Sequence, residues 1–138
     1  VANAVPEHAW CKVDVRFSKS EGIERIDRDF KDIAARQYVN DTTTTVKPLI
    51  VFPAMERLSA SETLFARAEA IAEAYGFPKM KAIAVGGGSD SANLTAVGVP
   101  TLCALGVKGE FNHTEREWAD EASLYERTKL LMAFLCEL

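Results

Sequence analysis

No run of apolar residues in this sequence comes near the roughly 20 needed to cross a bilayer as a helix, and the chain does not begin with a secretory leader. Membrane is therefore not an expected partner. Clusters of lysine and arginine are missing too, and the formal net charge is −4. That balance disfavours nucleic acid, because a phosphate backbone is held mainly by grouped cations. Cysteine is scarce: Cys11, Cys103 and Cys136 are odd in number, far apart, and each lies in an apolar run. They read as buried free thiols in a reducing, cytoplasmic compartment. None stands at metal-ligand spacing from another, and His8 and His113 are the only histidines. The single glycine cluster lacks the lysine of a phosphate-binding Walker loop and does not fit GxSxG, which weakens nucleotide and serine-hydrolase readings.

What the sequence does carry is concentrated between Lys81 and Trp118. A short apolar run leads into Gly86, Gly87 and Gly88, then Ser89 and Asp90, then a helix-compatible segment: strand, turn, helix. Glycines allow positive φ and close approach to backbone N–H groups, and Ser89 or Asp90 can cap a helix whose positive end favours an anion. The same residues serve as a plain strand-to-helix turn. Pro100 to Leu105 is a second apolar run, followed by a polar loop with His113. A glycine turn and a histidine loop at the ends of neighbouring strands would form one side of a pocket.

At 138 residues, with 48% hydrophobic and 26% charged, the chain suits one soluble domain or two small pieces. Residues 8–18 alternate, with Cys11, Val13, Val15 and Phe17 on one face, as in a half-buried strand. Asp14 and Arg16 share the polar face and form a surface or cross-strand pair. Ser18 to Glu21 offers a capping box, and Ile23, Ile26, Phe30 and Ile33 predict a helix over about 21–37, packed on that strand. Residues 48–52 read as a second strand, ended by Pro53. Such a β-α-β unit of roughly 50 residues buries too little to stand alone. A second helix starts at Ser59 or Ser61 and ends at Gly76 and Pro78, and a last one spans about 121–137.

The run GGGSDSANLTAVGVPTL, then GVKGEFNHTEREW, resembles the last part of the catalytic domain in the zinc amidohydrolase and exopeptidase family. That family includes glutamate carboxypeptidase, acetylornithine deacetylase and succinyl-diaminopimelate desuccinylase. Upstream, NAVPEHAWCKVDVRF resembles the family's Asn-x-x-Pro strand with its Asp-x-Arg ending, from the smaller lid or dimerisation domain. The implied fold class is α/β: part of an α/β lid over residues 1–55, then the C-terminal part of a layered α/β metallohydrolase catalytic domain over 56–138. The first residue is Val1 rather than methionine, which points to a processed product or a piece of a longer chain.

The resemblance implies that His113 is a zinc ligand, in a loop reading Asn112-His113-Thr114-Glu115-Arg116-Glu117. On its own a loop histidine is more often structural or solvated. Glu117 is the candidate to fix the imidazole tautomer, or else to hold the loop by a hydrogen bond. Gly87, Gly88 and Ser89 match the turn whose backbone approaches the substrate carboxylate, and Asn3 matches a lid asparagine that faces substrate. Asn3 also reads as a turn residue before Pro6. Several relatives carry an arginine on the lid strand just before a proline, where this chain has Phe52; Arg57 or Lys47 is the available substitute, or the substrate lacks that carboxylate.

A zinc site needs three or four protein ligands. The family's His-x-Asp motif, bridging Asp and Glu-Glu pair are absent here, so no catalytic residue is expected in this chain. The expected function is that of the C-terminal part of a zinc-dependent hydrolase, with one or two zinc ions in the complete enzyme. Its substrate would be a small peptide or N-acyl amino acid, and its partners a second copy in a homodimer and the missing N-terminal half of the catalytic domain. The alternative is a non-catalytic dimerisation module, pairing through strand addition or swapping.

Overall fold

Apolar residues at helical spacing form helices close to where the pattern puts them, as the computed structural model, which describes residues 3–137, shows. Helix α1 is Gly22–Ala35, α2 is Ser59–Ala74, α3 is Ser91–Ala96 and α4 is Glu121–Glu137. Among the described residues the only ladder joins β1, Gly109–Glu110, to β2, Trp118–Ala119. It is antiparallel, with Gly109 opposite Ala119 and Glu110 opposite Trp118. The chain is thus mixed α/β.

Local chemistry sets the helix ends. Gly76 is left-handed at φ 73°, and the Phe77 N–H reaches back to the Ala72 carbonyl at 2.8 Å while the Gly76 N–H reaches Glu73 at 3.0 Å. Two otherwise orphaned carbonyls of α2 are satisfied by this glycine turn. Asp120 starts α4, its carboxylate accepting the Ala122 N–H at 3.0 Å. The buried Ser123 donates to the Asp120 carbonyl and accepts the Lys108 N–H at 2.9 Å, which pins β1 against the start of α4.

The core lies where α2 meets α4. Ala68 and Ala72 are small enough to let the helices approach, and Leu130, Phe134 and Met80 close over them. Phe65, Ile71, Phe77, Leu102 and Leu105 pack around this cluster. At the open end Tyr75 donates to the Glu137 carboxylate at 2.8 Å.

Four expectations are corrected. The runs at 8–18, 48–52, 81–85 and 100–105 lie outside any ladder, and Val13, Leu49, Ile50, Ile83 and Val85 are exposed. Alternation gives a strand a face, but a ladder also needs a partner whose N–H and C=O groups meet its own, and among the described residues these runs form no such ladder. The capping box does not form. Glu21 occupies the N-cap without a side-chain bond, and Ser20 instead accepts the Ala54 N–H at 3.0 Å and donates its own N–H to Glu56 at 2.9 Å. Helix α1 buries no residue fully, because the strand it was to pack on is unpaired. The three thiols are free but exposed: Cys11 and Cys103 lie in runs outside any ladder, and Cys136 takes an exposed position on α4, whose buried face carries Leu130 and Phe134 instead.

Candidate functional site

Three glycines in sequence suggest positive φ, yet only Gly76 and Gly98 take it among the described glycines. What the turn requires is room. A Cβ on Gly86 would sit 3.3 Å from the Arg16 guanidinium, and one on Gly88 would touch the Phe52 ring at 3.5 Å. Gly87 faces open space. Arg16 donates to the Gly86 carbonyl at 2.6 Å and to Asp14 at 2.9 Å, so the expected Asp14–Arg16 pair forms and also reaches the turn.

The helix after the turn is six residues long, too short for a strong macrodipole. Ser89 Oγ already accepts the Ser91 N–H at 3.2 Å, and the carboxylate of Asp90 occupies the N-cap without a capping bond. Those groups leave little that would draw an anion to the helix end itself. Ser89 Oγ also lies 3.1 Å from Cys103 Sγ, and hydrogen bonds from Ser89 and then Ser91 hold the Cys103 thiol below its ordinary pKa.

The histidine loop is closed at its base by the β1–β2 ladder. Gly109 is obligatory there, since any Cβ would collide with the Trp118 carbonyl. Phe111 and His113 are both left-handed, at φ 61° and 65°. Bulky residues rarely adopt that region, and such outliers gather at functional sites. Thr114 holds the first by donating to the Phe111 carbonyl at 2.7 Å. Glu117 holds the second, accepting the His113 backbone N–H at 3.1 Å. The Arg116 guanidinium stacks 4.7 Å above the Phe111 ring.

Under this loop lies a cavity of about 410 Å³, lined by Val107, Gly109, Asn112, Glu117, Trp118 and Ala119. The glycine turn does not line it. Turn and loop were expected to share one pocket, and they would need paired strands to bring them together. Asn3 lies in an exposed turn, and His8 is exposed beside Glu7. Arg57 pairs with Glu62 at 2.9 Å. The approaches of Arg16, Phe52 and Cys103 to the turn were not anticipated, and no local spacing could reveal contacts across such separations.

Residues 3–137 do not complete a zinc site by themselves. Among the described residues no three of His, Cys, Asp and Glu converge to hold a metal ion. No helix of the described residues is long and apolar enough to cross a membrane.

Together these features define a mixed α/β chain that displays a glycine turn and a tightly tied histidine loop. Residues 20–137 match the model for peptidase family M20/M25/M40, and the chain belongs to that family. No curated protein and no solved structure matches it. Membership implies a hydrolase, of peptidase or amidohydrolase type.

Proposed function

We propose that the chain is the C-terminal part of a zinc-dependent metallopeptidase or amidohydrolase that cleaves the amide bond of a small peptide or N-acyl amino acid. The observation that carries this reading is the His113 loop: a left-handed histidine, tied by Glu117 and closed by an obligatory glycine pair position, within the matched family span. Residues 1–55 are read as lid and 56–138 as catalytic domain. His113 would be one ligand, with the others supplied from outside the described residues, and a zinc ion held there would supply Lewis-acid chemistry for amide hydrolysis. Glu117 orients the ligand by fixing the loop backbone rather than by a bond to the imidazole. Gly87 leaves its backbone open to substrate, flanked by Gly88 and Ser89, and Asn3 faces substrate from the lid.

The test is turnover of a panel of dipeptides and N-acyl amino acids by the full-length protein with and without chelator. Chelator-sensitive hydrolysis supports the reading; none with any member of either class contradicts it.

A second reading is favoured by the exposed run Leu49, Ile50 and Val51, which could add to a strand of another copy in a homodimer. Light scattering across a concentration series tests this reading, since a strict monomer rejects strand addition.

A further inference from the structure

The cavity beneath the histidine loop offers a chemistry that the metal reading does not use, and His113 itself does not line it. Val107, Gly109 and Ala119 supply its apolar wall, and Asn112, Glu117 and Trp118 supply its polar groups. Only one oxygen of Glu117 is engaged: Oε2 accepts the His113 N–H at 3.1 Å, and the carboxylate takes part in none of the ion pairs among the described residues. The β1–β2 ladder sets Trp118 directly opposite Glu110, which places both side chains on one face of the pair and adds a second negative charge there. The cations of the surrounding elements are turned to other partners. Lys108 reaches Glu126 at 3.1 Å, Arg127 lies 3.9 Å from the same carboxylate, and the Arg116 guanidinium stacks on the Phe111 ring. None of the three lines the cavity.

An anion brought into this space meets the Glu117 charge with no cation in the wall to offset it. A neutral hydroxyl gains a hydrogen bond and nothing from the charge. A primary ammonium matches each polar group: it donates to Glu117 Oε1 and to the Asn112 side-chain carbonyl, and the indole of Trp118 attracts its charge. Val107 and Ala119 then receive the carbon stem. A volume of about 410 Å³ lies within the range of small-molecule sites, about 300–1,000 Å³. We propose that this cavity binds a small primary amine as its ammonium ion, with Glu117 as counter-ion and Trp118 as aromatic wall. One carboxylate oxygen ties the loop while the other meets the ligand. The site is independent of the zinc reading, because its residues are in place whether or not His113 holds a metal.

The test is direct binding of benzylamine, benzyl alcohol and benzoate, three probes of like shape and different charge, to the full-length protein by calorimetry at neutral pH and low salt. Glu117→Gln and Trp118→Leu are measured beside the wild type, and each probe is measured before and after treatment with chelator. Glutamine keeps an acceptor for the His113 N–H and removes only the charge. The wild type binds the amine about tenfold or more tightly than the alcohol, with benzoate weakest. Glu117→Gln cuts the preference for amine over alcohol by about fivefold, and Trp118→Leu weakens both. Equal binding of amine and alcohol by the wild type overturns the proposal whether or not the variants fold, as does a preference that survives Glu117→Gln intact. Amine binding that disappears with chelator assigns the amine to a metal and likewise overturns it. Selective amine binding without hydrolysis of any dipeptide or N-acyl amino acid upholds the cavity and rejects the amide-hydrolase reading instead.

Discussion

Arg16 donates from Nη1 to the Gly86 carbonyl at 2.6 Å, joining residues 70 positions apart in sequence. This bond ties the Asp-x-Arg segment to the glycine turn, two motifs that are otherwise separate. Both partners are exposed, so the stability at stake is small, about 1 kcal/mol or less. The expected effect of Arg16→Ala is local: faster amide exchange at 86–90 with little change in melting temperature. A large global destabilisation would show that the contact does more than hold the turn.

Gly109 makes the sharper prediction. A methyl group there meets the Trp118 carbonyl, so Gly109→Ala must open the β1–β2 ladder that closes the histidine loop. A cost of about 1–3 kcal/mol is expected from forced backbone displacement. Thermal denaturation checks the size, and loss of protection at 109–119 checks the place.

In the core, Leu130 is 2% exposed between α2 and α4. Leu130→Ala is expected to cost about 2–5 kcal/mol through lost burial and a residual cavity. Urea denaturation with an unchanged m-value would show that stability alone has moved.

Tyr75 and Glu137 give a pH dependence with a definite sign. The hydrogen bond to Glu137, and then its charge, hold the Tyr75 hydroxyl above its ordinary pKa of 10.0. The folded chain therefore keeps this proton where the unfolded chain has released it. The contribution is fully present below about pH 10 and is lost as pH rises through the folded pKa. Melting temperatures for the wild type should fall more steeply above about pH 10 than those of Tyr75→Phe; parallel curves would contradict the coupling.

How legible all this was in the sequence depends on the range of the interaction. Helices α2 and α4 were legible because stripe, cap and stop lie within one segment: Gly76 ends α2 by a bond from Phe77 to Ala72. The His113–Glu117 tie spans four positions and was among the readings of that pair. The apolar runs at 48–52 and 81–85 carry strand patterns, yet pairing is a property of neighbours, and pattern does not supply one. Arg16 at Gly86, Phe52 at Gly88 and Cys103 at Ser89 are likewise long-range, and each could be found only in three dimensions.

The central claim is that His113 holds metal in the complete enzyme. Zinc content and hydrolysis of N-acyl amino acids and dipeptides, measured together in the full-length protein and in His113→Ala, test it most directly. The account predicts that the substitution lowers bound zinc and abolishes turnover while the far-ultraviolet circular dichroism is retained. Unchanged zinc content and unchanged turnover would contradict it.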